Sequence, residues 1–311
     1  MSSARVCVVT GATGAVGPSV VEAFRDAGFD VRALGRGDAD VTNLDQMRRA
    51  VAGADCVVHA AAMLHINNPP PEMQPEYRRV NVGGTENVVR AAADAGVRRV
   101  VFFSTIGVYG GNRGVVLSEN DAPRPDSLYA QTKLEAERIV LGAGGVALRL
   151  AAVYGPRVKG NYARLLDAVR RRRFARVGDG RNRRTLIYER DVAAAALLAA
   201  THDRAASEIF NVTDGALHTL REVVDAIAAA ADIRPPWLAV PAGAAWFAAA
   251  AIERIARLAH IRPPVTRALV AKILEDVAVS GEKIQHLLGF VPAYDLQRGW
   301  RETVERLRTH I

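Results

Sequence analysis

Short runs rich in β-branched residues alternate with Ala-rich stretches along the first half of the chain. Residues 6–10 (VCVVT), 31–34 (VRAL), 56–59 (CVVH) and 99–104 (RVVFFS) are nearly continuous in apolar character rather than alternating. Strands buried on both faces read this way, and the helical stretches between them supply the covering layers. The pattern predicts an α/β fold with a doubly wound parallel sheet. Beyond about Val153 the rhythm changes to a basic helical stretch over 162–173, a Gly/Asn/Arg loop, a short strand over 185–188, and then mostly helices. Residues 209–212 (IFNV) read as one more strand of the main sheet. Thr219 and Glu222 form a capping box that opens a helix through Ala230, each side chain satisfying an orphan N–H.

The first predicted strand runs directly into Gly11-Ala12-Thr13-Gly14-Ala15-Val16-Gly17 and then a helix. Glycines spaced three and three at the first strand-to-helix junction let the backbone turn tightly and approach a pyrophosphate, whose charge then meets the helix N-terminus. The loop, from Gly11 and Thr13 through Val16 and Gly17, therefore predicts a dinucleotide. At the end of the second strand, where NAD-selective sites usually offer a carboxylate to the ribose 2′-hydroxyl, the chain has Gly35 and Arg36. A guanidinium there suits a 2′-phosphate, so NADP is favoured over NAD. Asp40, followed by Val41, is placed to accept from the adenine amino group or to serve as a loop cap.

A second constellation is Tyr129-Ala-Gln-Thr-Lys133 at the start of a helix. Spacing of four puts both side chains on one face, where an ammonium is expected to draw the phenol's pKa down from ~10 so that it works as a general acid or base.

With both motifs in hand, the chain resembles the extended short-chain dehydrogenase/reductase family, also called the NAD-dependent epimerase/dehydratase family. The resemblance rests on TGATGAVG (10–17), VVHAAA (57–62), NVGGT (81–85), FSTIGVYG (103–110), YAQTK (129–133), LRLAAVYGP (148–156), RRTLIYERDV (183–192) and LGFVP (288–292). It implies a Rossmann-type domain over 1–152, rejoined by 185–215, and a smaller, mostly helical substrate domain from 153–184 and 216–311. It also implies that Tyr129 and Lys133 carry the proton and orient the nicotinamide ribose, and that Thr105 completes a triad, with Ser104 the runner-up hydroxyl. Ala60, Ala61 and Ala62 would line the cofactor, and Asn81 would hold strand and helix around it. Arg184 would grip a nucleotide diphosphate, and Lys159 and Asn161 fall where a loop closes over the nucleotide. Helices around 73–95 and 127–142 would form a homodimer.

Departures from the family narrow the chemistry. Sugar 4,6-dehydratases carry an acidic pair after the triad hydroxyl, where this chain has Ile106 and Gly107. Elimination then lacks its acid and base, which leaves hydride transfer at one carbinol carbon. The leading expectation is a C4 epimerase or ketoreductase of nucleotide-diphosphate sugars. Ala152, where many sugar epimerases place an Asn, loosens that substrate, and WFAAAAIERIARL (246–258) resembles the apolar helix region of sterol dehydrogenase relatives, where an amphipathic helix rests on a membrane surface or admits a hydrophobic substrate, or else packs as domain core or a dimer face. A lipophilic alcohol is the alternative substrate, and a non-catalytic dinucleotide sensor is a third reading, disfavoured by the intact Thr105, Tyr129 and Lys133.

Composition adds limits. Half of the 311 residues are apolar and 24% are charged, as in ordinary globular enzymes. The two cysteines, Cys7 and Cys56, sit in predicted strands and read as buried inert thiols; they offer no disulfide framework and no metal cluster. No signal peptide is readable at the start, so a cytoplasmic protein is expected. The longest weakly polar run, 238–252, is too short to span a bilayer. The net charge of +8 is local: residues 164–184 hold nine arginines against two aspartates. Without interleaved aromatics that stretch is not a nucleic-acid stripe, and it reads as the rim of an anion-binding cleft.

Overall fold

A computed structural model of the protein describes residues 4–63, 70–111, 114–157, 160–259, 261, 263 and 265–309. Its strands are β1 (Val6–Thr10), β2 (Asp30–Leu34), β3 (Cys56–His59), β4 (Arg99–Thr105), β5 (Val146–Leu150), β6 (Ala152–Tyr154), β7 (Arg176–Val177), β8 (Arg183–Arg184), β9 (Leu186–Tyr188), β10 (Ile209–Val212), β11 (His218–Thr219) and β12 (Ala239–Val240). Its helices are α1 (Gly17–Asp26), α2 (Leu44–Val51), α3 (Gln74–Arg78), α4 (Gly84–Asp94), α5 (Leu128–Gly142), α6 (Asn161–Arg170), α7 (Glu189–Thr201), α8 (Leu220–Ala230), α9 (Ala242–Leu258), α10 (Arg267–Leu274), α11 (Glu282–Leu288) and α12 (Leu296–Thr309).

Six strands form one parallel sheet in the order β10-β5-β4-β3-β1-β2. Strand order reverses between β1 and β3, and in such sheets ligands bind outside the carboxyl ends of the strands at that switch. Successive side chains of each strand enter opposite layers. Cys7 and Val9 pack with α1 and α7, while Val8 packs with α2, α4 and α5. Both layers are apolar, which is why these strands read as continuous hydrophobic runs. Cys7 and Cys56 are cross-strand neighbours, free and buried. Hydrogen bonding to Cys56 and burial push the Cys7 thiol up, which keeps it protonated and inert.

The second half builds a separate core of Tyr154, Leu166, Tyr188, Val223, Ile227, Trp300 and Val304. Short ladders join it together: β6 with β9 in parallel, and β8 with β11 antiparallel. The capping box at Thr219 and Glu222 is present at the start of α8. The basic stretch differs from the sequence pattern, because α6 ends at Arg170 and Arg172 adopts φ 54°. Arg170 to Arg173 therefore lie on an exposed helix end and turn, with Arg171 paired to Asp167.

Candidate active site

The glycine loop crosses the carboxyl ends of β1 and β3 with no space to spare. Gly11 has φ 71°, and a Cβ there would lie 2.6 Å from the Ala61 nitrogen. At Gly17 a Cβ would lie 2.4 Å from the Ala12 carbonyl oxygen. Gly14 donates to the Gly11 carbonyl at 2.9 Å, closing the turn. The helix that follows begins with Pro18 in its first turn, and Val16 offers no side-chain cap. Its first amides are left for an anion, so the cradle fits a dinucleotide pyrophosphate.

Beside the loop, the β2 end explains its own glycine. A Cβ on Gly35 would come within 2.9 Å of Thr13 Cγ2, and Gly35 donates to Asp38 Oδ2 at 2.8 Å. Arg36 is exposed and forms no ion pair with a described residue. Asp40 accepts from the Thr42 amide at 2.9 Å, which holds its carboxyl below the usual range. Val41 packs on α4, where a Cβ on Gly84 would meet its Cγ2 at 2.8 Å.

A buried relay of polar side chains runs behind this cradle. Thr10 Oγ1 lies 2.7 Å from His59 Nδ1, and His59 Nε2 lies 3.1 Å from Thr85 Oγ1. Thr85 spends its proton on the Asn81 carbonyl at 2.7 Å. The network therefore assigns the ring hydrogen to Nε2 and leaves Nδ1 to accept from Thr10. Burial, reinforced by the charge of Lys133, drops the His59 pKa to about 3. Asn81 sits in the single π-turn over Arg79–Gly83. Its amide accepts from the Met63 N–H at 2.7 Å and donates to Thr132 Oγ1 at 3.1 Å, and Thr132 donates to the Tyr129 carbonyl at 2.9 Å. Asn81 thus ties the segment after β3, which includes half-buried Ala60, Ala61 and Ala62, to the first turn of α5.

The first two turns of α5 carry Tyr129 and Lys133. Ser127 caps the helix by accepting from Ala130 at 3.3 Å. Thr105 ends β4 half-exposed, and its Oγ1 accepts from the Gly107 amide at 3.1 Å, which leaves its own proton to give. A Cβ on Gly107 would touch both Thr105 Oγ1 (3.3 Å) and Ala130 Cβ (3.9 Å), so the threonine turn rests directly against the start of α5. Ser104 points the other way, buried, with its hydroxyl donated to Glu137. Of the two adjacent hydroxyls, Thr105 is the one open to a ligand.

The electrostatics differ from the expectation that Lys133 lowers the Tyr129 pKa. Burial, with Tyr77 adding to it, raises the phenol to about 12. Burial also lowers Lys133 to about 7, against the opposing pull of Glu137. Lys133 Nζ lies 4.0 Å from the centre of the Phe102 ring, so its charge is held by an aromatic face rather than by solvent. Desolvation, and not attraction between the two groups, is the largest cause of both shifts.

Missed by sequence reasoning is the ion pair beneath this site. Arg149 on β5 forks onto Glu137, with Nη2 at 2.8 Å from Oε2, and both side chains are buried. Arg149 Nη1 donates to Tyr109 Oη at 2.9 Å, and Tyr109 donates to Asn211 Oδ1 at 2.9 Å. Glu137 lies one helical turn beyond Lys133, and the LRL of β5 holds its partner; that spacing was the only signal available.

The residues assigned to substrate are less gathered. Asn161 is the exposed first residue of α6. Lys159 lies outside the described residues. Arg184 is buried, and its guanidinium donates to the carbonyls of Ile273 (2.7 Å), Lys272 (3.1 Å) and Glu275, closing the C-terminal end of α10. Arg183 beside it pairs with Asp276. A cavity of about 220 Å³ opens between α6 and α12, lined by Tyr154, Tyr162, Leu166, Trp300 and Leu307, away from the Thr105–Tyr129–Lys133 group.

Comparisons with known proteins agree with this architecture. A ketoreductase of 4-hydroxy-2-methyl-3-oxo-4-farnesyl-3,4-dihydroquinoline-1-oxide from Stigmatella aurantiaca is 29% identical, covering 94% of this chain and 93% of its own. UDP-glucose 4-epimerase of Vibrio cholerae is 28% identical over 96% of this chain and 94% of its own. Among solved structures, MoeE5 in complex with UDP-glucuronic acid and NAD is 29% identical, with TM-score 0.76 over 98% of this chain and 99% of that one. The family model for the NAD dependent epimerase/dehydratase family matches residues 7–213. With its six-stranded parallel sheet, glycine loop and YAQTK helix, the chain belongs to the NAD dependent epimerase/dehydratase family.

Proposed function

We propose that the protein moves a hydride at a carbinol carbon, with Tyr129 handling the hydroxyl proton, Thr105 holding the oxygen and Lys133 orienting the cofactor ribose. The observation that carries this reading is the half-open Thr105 hydroxyl at the carboxyl end of β4, set against the first turn of α5 on the same sheet edge as the glycine loop. When bound, the nicotinamide takes up or returns the hydride. Gly11, Gly14, Gly17 and the first amides of α1 would hold its pyrophosphate, and Asn81 and Ala60–Ala62 the segment beside its ribose. With its pKa near 12, Tyr129 is protonated at neutral pH and is poised to give its proton to an alkoxide. Thr105 then donates a second hydrogen bond to the same oxygen. Ile106 and Gly107 supply no acid or base, so no elimination follows.

The substrate reading supported best is a nucleotide-diphosphate sugar oxidised or reduced at C4, in line with the full-length likeness to UDP-glucose 4-epimerase and to MoeE5. Arg36 beside Gly35 favours NADP and the reductase direction. A second reading has a specific observation behind it. Arg184 already spends its fork on three carbonyls, so a diphosphate loses its expected anchor, and the Stigmatella relative acts on a farnesylated ketone. A lipophilic alcohol or ketone is that alternative. Melting temperature followed against NAD, NADP, UDP-sugars, TDP-sugars and sterols separates the readings. No shift with either dinucleotide refutes the cofactor; a shift with sterols and none with nucleotide sugars selects the second substrate. Tyr129→Phe is expected to lower kcat by at least about a hundredfold and keep the dinucleotide-induced shift. Wild-type turnover in that variant sinks the mechanism.

A further inference from the structure

The exposed apolar side chains of this protein are concentrated in one place. Of the twelve large hydrophobic residues exposed among the described residues, eight fall between Trp237 and Leu269. Scattered apolar residues are ordinary on a surface, whereas a contiguous set marks an interaction face. Four of the eight, Trp246, Phe247, Ile255 and Leu258, lie on α9. Ala245, Ala249 and Ala256 turn one side of the helix to the protein, where a small cluster with Val270 receives it. On the opposite side stand Phe247, Ala251, Ile255 and Leu258, at spacings of four, four and three. At 100° per residue these fall within a strip about 80° wide. Phe247, Ile255 and Leu258 are 76%, 65% and 77% exposed, and Ile261, in the bend beyond the helix, is 61% exposed.

Charge decides what such a face meets. Arg254 and Arg257 border the strip on one side, are exposed, and form no ion pair with a described residue. The one acidic residue of the helix, Glu253, is consumed by Arg267, whose backbone amide and Nε it accepts at 2.8 and 2.9 Å. Among the described basic residues of 237–274, Arg267 is taken by Glu253 and Lys272 lies 3.6 Å from Glu275, which leaves Arg254 and Arg257 as the charge beside the strip. An isologous contact with a second copy would bring the same arginines face to face with no acidic residue to meet them. A surface that is apolar below and anionic at the rim satisfies both features. No helix among the described residues is long and apolar enough to cross a membrane, so α9 would lie in the plane of such a surface.

We propose that this face of α9 docks on an anionic lipid bilayer, with Phe247, Ile255, Leu258 and Ile261 entering the interface and Arg254 and Arg257 meeting phosphate-bearing headgroups. The reading stands on exposure and charge alone and is independent of the substrate.

Cosedimentation tests it with the full chain and two vesicle types, phosphatidylcholine alone and phosphatidylcholine mixed three to one with phosphatidylglycerol. Binding is expected to the mixed vesicles, weakened by added salt, and to be much lower on the neutral ones. Replacing Arg254 and Arg257 with Gln should weaken binding about fivefold per arginine. The triple variant Phe247→Gln, Ile255→Gln, Leu258→Gln should weaken it at least about tenfold. All these side chains face away from the core, so unchanged melting and dinucleotide-induced shifts verify the fold of each variant. Wild type that stays in solution with mixed vesicles at low salt overturns the proposal, as does a triple variant that binds like wild type. So does a wild-type dimer without vesicle binding that the triple variant turns into a monomer, which would give the face to a second copy.

Discussion

Gly11 shows how one residue sets the geometry of the cofactor side. Its φ of 71° is a conformation that side chains rarely adopt, and its missing Cβ leaves the space that the Ala60–Ala61 peptide fills. Gly11→Ala must either push that peptide away from β1 or unwind the turn. Both move the first amides of α1, which are the groups offered to a pyrophosphate. The expected result is a loss of about 2 kcal/mol in stability, and at least tenfold weaker dinucleotide binding if even one charge-assisted hydrogen bond is lost. Urea unfolding and equilibrium titration measure the two effects separately. At Gly14 a Cβ would press on the Gly11 carbonyl oxygen at 3.0 Å without the positive φ, so alanine there should cost less than at Gly11.

At the scale of elements, the site stands on a junction of β4, α5 and β5 held by buried charge. Glu137 accepts from Ser104 and from Arg149, and Arg149 continues to Tyr109 and Asn211 on β10. Arg149→Met would leave the Glu137 carboxylate buried without its counter-ion. Breaking one partner of such a pair costs about 3–5 kcal/mol, whereas replacing both is much milder. The double variant Glu137→Gln, Arg149→Met is therefore expected to recover most of the stability lost by the single one, as read by urea unfolding. Equal loss in both variants would mean that the pair itself, not the uncompensated charge, carries the energy. The glycine loop and YAQTK were readable in the sequence because each is a local spacing on one element. This junction was not, because its partners come from β4, the turn after it, α5, β5 and β10, with bonded pairs as far as 102 residues apart. Arg184 has the same origin: its strand position is visible in the chain, while the Lys272 and Ile273 carbonyls that occupy it lie 88 and 89 residues away. The Tyr129 pKa escaped for another reason. Spacing reports that Lys133 shares the helix face but not the burial that sets both shifts.

At the scale of the whole molecule, His59 and Lys133 are buried cationic groups whose charged forms the fold disfavours, and this couples stability to pH. His59 has a pKa of about 3 in the folded protein against an ordinary value of 6.5, so the unfolded chain binds the proton first as pH falls. Its contribution is complete above pH 6.5 and is lost as pH drops from there toward 3. Lys133, at about 7 against 10.5, acts in the same direction in a higher window, so that stability rises as pH climbs from 7 to 10.5. The His59 relay joins β1, β3 and α4 across the switch point, so its protonation is read by global unfolding and not by local fraying. One and a half pH units below 6.5, at pH 5, the His59 share of the loss is about 2 kcal/mol. His59→Gln keeps an amide donor for Thr85 and an acceptor for Thr10 but cannot titrate. It is expected to start somewhat less stable at pH 7, through imperfect packing, and to lose much less between pH 7 and pH 5 than wild type. Urea unfolding of both proteins at the two pH values gives the comparison directly. Parallel losses in wild type and variant would place the acid sensitivity in the carboxylates and not in the relay behind the cofactor cradle.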